Sequence, residues 1–282
     1  MSNRRALCAV LVALNLVLPV PQARAQAAGG GTTWQLLTGL EYARGDYGLA
    51  ALGDTETWVV PLSARLRIGD WSLRATLPLL RVDGPATVGV LVDDGGGAGG
   101  APGGNAGDGL GAVAFPATRR DSGPGDVTFS LTRAFNGLSG TPLYADAIGR
   151  LRLPTGDAAR GLGSGAVDVI AGGELGWAAR VGGVYAAGAR RFLGNGPTVS
   201  RVDGWQGAAG GWLNVGERSE LGLAYGWRAA SVRGAPSSRA VEINAGTQVA
   251  GRWQLGVVAS RGLSDGAPDW SLGLTVSRHG RH

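Results

Sequence analysis

Arginine recurs at a spacing of two in separate parts of this chain: Arg65 and Arg67, with Arg74 after them, and then Arg150 and Arg152. Single carboxylates follow at Asp168, Glu174, Glu220 and Glu242, and Asp146 is a further candidate. A spacing of two puts side chains on the same side of a β-strand. Fixed cations and anions held that way can steer and select solutes.

Bond-breaking chemistry lacks its usual parts. The only histidines are His279 and His282, both at the chain end, so a nucleophilic serine has no positioned base. A barrel-embedded lipase with a Ser/His/Asn site is disfavoured on that ground. No HExxH or Walker A segment occurs, and the Gly161-Leu162-Gly163-Ser164-Gly165 run falls in a loop. The one cysteine, Cys8, precedes the mature chain, which excludes disulfides and thiolate sites there. Asp93, Asp94 and Asp108 lie among glycines in one unrepeated segment, too little for a calcium site. We expect no metal, no cofactor and no enzyme.

The elements that carry the charges alternate apolar and polar residues. In 56–68, Trp58, Val60, Leu62, Ala64, Leu66 and Ile68 share one phase; in 71–81, Trp71, Leu73, Ala75, Leu77 and Leu79 do. Period 2 means strands with one apolar face, and Gly69-Asp70 between them suits a hairpin turn. Each arm has about 11 residues, the length a tilted strand needs to cross a bilayer. The same reading gives twelve strands, near 33–43, 56–68, 71–81, 126–136, 143–153, 166–180, 183–192, 205–216, 219–231, 239–249, 252–262 and 269–278. Links after the even-numbered strands are short and those after the odd-numbered ones are mostly longer, as periplasmic turns and extracellular loops produce.

The expected fold is therefore all-β: a single antiparallel transmembrane β-barrel of about 12 strands spanning 26–282. Residues 1–25 read as a signal peptide, with Arg4 and Arg5, an apolar stretch and Ala23-Arg24-Ala25. Trp34, Trp58, Trp71, Trp177, Trp205, Trp227, Trp253 and Trp270 sit near strand ends in the apolar phase, as an aromatic girdle would, while Trp212 falls in the opposite phase. Segment 82–125, 44 residues rich in glycine, is expected to be one long external loop. If the apolar phase faces lipid, Arg65, Arg67, Arg74, Arg150, Arg152, Asp168, Glu174, Glu220 and Glu242 line the interior, because a charge on the lipid face costs up to about 2–4 kcal/mol at the midplane.

Charge excludes one partner class. All 26 basic residues are Arg, and without Arg4, Arg5 and Arg24 they number 23 against 21 acids. So balanced a chain, with its arginines dispersed, is not a nucleic-acid binder.

Two further segments carry a resemblance. Gly125-Asp126-Val127-Thr128-Phe129-Ser130-Leu131, then Leu153-Pro154-Thr155-Gly156-Asp157, then the Gly161–Gly165 run and Asp168 occur in that order. This arrangement resembles the outer-membrane "transporter" family that includes phenol meta-cleavage pathway outer-membrane proteins. Pro154, Gly156 and Asp157 also read as a strand end turning into a loop. The resemblance implies an outer-membrane, porin-like barrel of a Gram-negative cell that passes small solutes, aromatic or hydrophobic compounds among them. The expected partners are outer-membrane lipid, the barrel insertion machinery and a small-molecule solute. A surface-interaction barrel without transport is the alternative. Such barrels usually finish on an aromatic residue, whereas this chain ends His279-Gly280-Arg281-His282 after Trp270, Leu272, Leu274 and Val276.

Overall fold

The structure is a computed structural model that describes residues 31–47, 53–86, 114–196 and 200–281. The expected signal peptide and Asp93, Asp94 and Asp108 lie outside these residues. The strands are β1 (Thr32–Gly45), β2 (Thr55–Ile68), β3 (Trp71–Ala86), β4 (Ala114–Pro124), β5 (Val127–Asn136), β6 (Leu143–Leu153), β7 (Asp168–Ala179), β8 (Gly182–Leu193), β9 (Gly204–Val215), β10 (Ser219–Arg228), β11 (Ser238–Ala250), β12 (Trp253–Gly262) and β13 (Trp270–Arg281). Neighbours pair antiparallel in sequence order, and β1 pairs with both β2 and β13, closing the sheet. Twelve strands make the barrel wall, and β4 is extra.

The extra strand shortens the long external loop expected over 82–125. β3 runs on through Val82 to Ala86, and β4 returns along its upper half, with Val82 opposite Asp121 and Leu79 opposite Pro124. The lower half of β3, Trp71 to Thr76, pairs instead with β5. β4 and β5 therefore follow one track, interrupted at Gly125-Asp126. Between the Leu79–Pro124 and Thr76–Thr128 pairs, β3 spends two residues and its partner three, so the break is a bulge. Glycines before residue 114 hid the return strand, whose own sequence, AFPATRRDSGP, does not alternate.

Short turns join β2 to β3, β5 to β6, β7 to β8, β9 to β10 and β11 to β12, and both described chain ends lie at that same rim. Gly69 opens the first of these turns at φ 56, a conformation that glycine adopts without cost. Longer links crowd the opposite rim, which is the extracellular one by this asymmetry.

The wall is apolar outside and polar inside, the reverse of a soluble protein. Leu66, Leu73, Phe129, Leu131, Leu223, Ile243 and Leu274 are exposed, Leu274 at 58 %, while Ser63, Thr76, Thr128, Ser130, Glu220 and Glu242 are buried. Exposing this many large side chains to water, at roughly 1.5–3 kcal/mol each, would be prohibitive, and hydrocarbon removes the cost. No helix among the described residues is long and apolar enough to cross a membrane. The strands do the crossing.

Tryptophans mark both edges of the apolar band. Trp34, Trp71, Trp177 and Trp253 lie near the short-turn rim, and Trp58, Trp205, Trp227 and Trp270 near the other. From Trp58 to Ile68, the partner of Trp71, β2 advances ten residues. At about 3.3 Å per residue and a tilt near 40° this is roughly 25 Å, the height of an outer-membrane apolar band. Arg133 stacks over Trp71 at 5.3 Å and Arg278 over Trp253 at 5.6 Å, keeping their charge at the interface.

Candidate functional site

At the Gly125-Asp126 bulge, the Asp126 carboxylate meets the loop that follows β6. Asp126 accepts from the Gly156 amide at 3.0 Å and from the Ser164 amide and hydroxyl, both at 2.7 Å. Asp157 caps the short 3-10 turn behind it, accepting from Ala159 and Arg160 amides at 3.0 and 3.2 Å. Leu162 is buried and its carbonyl passes so close to Gly156 that a side chain there would collide with it. Arg160 then ties the loop to β4, donating to Asp121 at 3.0 Å and to the Ser122 carbonyl at 3.0 Å. Gly156 and Asp157 thus shape this loop, and Pro154 lies exposed at its start.

Beneath that loop lies a buried ionic cluster. The ladder sets Arg152 directly opposite Asp168, and the two are ion-paired. Arg152 also lies 3.8 Å from Asp126. From the next loop Arg201 grips Asp168 with two bonds, at 2.6 and 2.9 Å, while its own amide donates to Asn195 at 2.8 Å. Arg191 reaches toward the loop after β10, donating to the Ala229 carbonyl at 2.6 Å and to Ser231 at 3.2 Å. Asp168 and Arg191 are each 1 % exposed. Loops after β6, β8 and β10 therefore converge on one set of charges held by strand ends.

Lower in the lumen the chemistry changes. Tyr144, Tyr185 and Trp212 form a buried cluster with Ala224, and the Tyr144 hydroxyl bonds to Glu174 at 2.7 Å. The rings lie against bare backbone: a side chain at Gly176 would strike Tyr144, one at Gly183 would strike Trp212, and one at Gly210 would strike Tyr185. Glycine density in 172–188 and 204–211, which blurs the alternation in the sequence, is what lets rings lie flush with the inner wall.

Of the residues singled out in the sequence, Arg74, Arg150, Arg152, Asp168, Glu174, Glu220 and Glu242 are buried on the inner phase. Arg65 and Arg67 are half-buried near the periplasmic rim, where Arg65 donates to Ser72 at 2.8 Å and Arg67 to the Gly69 carbonyl at 3.2 Å. The ladder puts Arg65 opposite Arg74, Ser130 opposite both Arg74 and Arg150, and Asp146 opposite Glu174. Arginines thus predominate on β2 and β3, while both signs occur on β6, where Asp146 joins Arg150 and Arg152, and on β10, where Arg228 joins Glu220. At the mouth the two signs meet on adjacent strands. Asp126, Arg191, Arg201, Tyr144 and Tyr185 were not singled out; only the inward phase of Trp212 hinted at a filled lumen.

Of the girdle residues, Trp58, Trp71, Trp177, Trp205, Trp227, Trp253 and Trp270 are exposed on the outer face, and Trp34 is half-buried. Among the described residues no group of three or more His, Cys, Asp or Glu could hold a metal ion.

No family model matches the chain, and no curated protein does. Solved structures do. The COG4313 outer membrane channel from Pseudomonas putida F1 is similar over 89 % of this chain and 96 % of its own, with 16 % identity and a TM-score of 0.62. The toluene transporter TodX of P. putida aligns over 94 % and 93 % at 9 % identity, with a TM-score of 0.43. The first likeness establishes a shared fold. This chain is an outer-membrane β-barrel. Its closed wall, its lipid-facing apolar band and its two tryptophan belts say the same independently.

Proposed function

We propose that the protein is an outer-membrane channel for small solutes, aromatic or hydrophobic compounds among them, and not an enzyme. The observation that carries this reading is the inner face: an unbroken sequence of buried charged, hydroxyl and aromatic side chains enclosed by a barrel with an apolar exterior. A barrel serving only as a scaffold has no need of so many buried inward charges, among them Arg74, Arg150, Glu174, Glu220 and Glu242. Those charges set a field that orients polar solutes, and the buried Tyr144/Tyr185/Trp212 cluster adds an aromatic tier to the same interior.

The fold shared with a protein titled an outer-membrane channel supports the reading. The rival is a closed surface-interaction barrel, favoured by the ionic cluster across the mouth. Planar-bilayer recording separates them. Discrete conductance steps, with uptake of small aromatic solutes by protein-loaded liposomes, are expected. Silent bilayers together with impermeable liposomes would select the closed barrel.

A further inference from the structure

One sector of the extracellular rim joins aromatic rings to arginines on the lipid side. Tyr42 lies 4.6 Å from Trp58 and 5.0 Å from Trp270, so the three rings form a continuous shelf across β2, β1 and β13. Trp58 and Trp270 are 39 % and 41 % exposed. The ladder sets Arg81 opposite Trp58, and both Arg44 and Arg261 opposite Trp270. All three arginines are exposed in the outward phase. Arg44 is shared with Asp54 at 2.7 Å and Glu56 at 3.9 Å, whereas Arg81 and Arg261 make no ion pair among the described residues. One pair further round, Arg239 stands opposite Trp227.

Depth and chemistry identify what meets this shelf. Tryptophan belts sit at headgroup level, and a guanidinium on the lipid face costs little there. The planar fork of arginine matches phosphate oxygens two at a time, which a lysine ammonium cannot do. This chain uses arginine alone. From β3 to β12 the shelf spans about 19 Å at roughly 4.8 Å per strand, wide enough for a headgroup with more than one phosphate. Arg133 and Arg278 in the periplasmic belt instead stack on rings of their own side, as Arg190 does elsewhere on the extracellular rim.

We propose that Arg81, Trp58, Tyr42, Trp270, Arg44 and Arg261 form a binding site for the phosphorylated headgroup of an acylated glycolipid of the outer leaflet. The site is independent of transport and rests only on which rim faces outward.

Native mass spectrometry of the detergent-extracted protein tests it, with lipid A (a bisphosphorylated acyl-disaccharide), its dephosphorylated form and inorganic pyrophosphate as probes. The wild type retains the bisphosphorylated lipid roughly tenfold better than the dephosphorylated one and ignores pyrophosphate. Arg81→Gln with Arg261→Gln abolishes that preference, and Arg133→Gln with Arg278→Gln keeps it. Equal retention of both lipids by the wild type would overturn the site. So would equal loss in both double variants, and pyrophosphate binding as strong as the lipid's would mean a free-anion site instead. Should the glutamine pair fail to insert, Arg81→Lys with Arg261→Lys decides: the preference falls several-fold, and an unchanged preference overturns the proposal.

Discussion

The two ends of the lumen are lined by different chemistry. At the extracellular mouth the lining is ionic and carried partly on loops: Arg201 and the Asp126-bound segment around Ser164 meet Arg152 and Asp168, which the strands hold. Further down, it is aromatic and carried wholly on strands, with Tyr144, Tyr185 and Trp212 laid over glycines of the wall. Loop-borne contacts can be released without unpairing the barrel, whereas strand-borne rings move only by rotating within their slots. The mouth is therefore the part built to change, and the aromatic tier the part built to stay.

The sharpest way to break this contrast is Asp168→Asn. It leaves Arg152 and Arg201 buried without their shared counter-charge, and removing one partner from a buried ion cluster costs about 3–5 kcal/mol. The heat-modifiability transition should fall markedly, loops 154–167 and 194–203 should become protease-sensitive, and single-channel conductance should rise. A stable, protease-resistant variant with unchanged conductance would remove the ionic cluster from control of the mouth.

Gly183→Val attacks the other tier. The added side chain meets both the Trp212 ring and the Trp177 carbonyl, and overpacking of this kind costs about 1–3 kcal/mol or more. Its expected signature is the converse one: lowered barrel stability in urea, narrowed conductance for aromatic solutes, and loop proteolysis as in the wild type. Proteolysis rising as in the Asp168 variant would show the tiers to be one unit.

Smaller effects come from the rims. Arg65→Ala with Arg67→Ala removes two cations near the periplasmic opening and should shift reversal potentials away from anion preference by several millivolts on the order of a screened surface field. An unchanged reversal potential would take these residues out of selectivity. Arg160→Ala cuts an exposed clip between the folded loop and β4, worth about 0.2–1 kcal/mol. Barrel stability should be untouched, with only loop 154–167 cleaved faster. A global loss of stability would contradict the loop's independence.

Much of the fold was legible because its signals were periodic. Alternation along 56–68 and 71–81, Gly69-Asp70 between them, and short links alternating with long ones require no tertiary information. Twelve strands of the wall follow from these patterns. β4 was not legible, since its pairing depends on β3 running past the membrane band and its own residues do not alternate. The same limit applies to the site. The inward phase of Arg152 and Asp168 could be read from strand spacing, and Asp157 as a cap from its turn chemistry. Arg201 lies in a loop, where no period says which way a side chain points. Asp126 shares the inward phase of Thr128, Ser130 and Thr132, so its direction was legible, but its partners Gly156 and Ser164 lie in a loop with no period. Tyr144 and Tyr185 lie in β6 and β8, and the glycine-rich stretches that receive their rings look in sequence like weak strands.

The central claim is that alternate residues of one strand face hydrocarbon and an enclosed polar interior. With no cysteine after Cys8, single cysteines can be placed at Leu62, Leu66 and Leu73 and at Ser63 and Thr76, spin-labelled, and compared in liposomes for collisions with oxygen and with a water-soluble nickel complex. The account predicts high oxygen and low nickel accessibility at the three leucine positions, and the loss of that lipid signature at Ser63 and Thr76. Equal oxygen accessibility at both sets, or nickel access at Leu66 and Leu73, would contradict it.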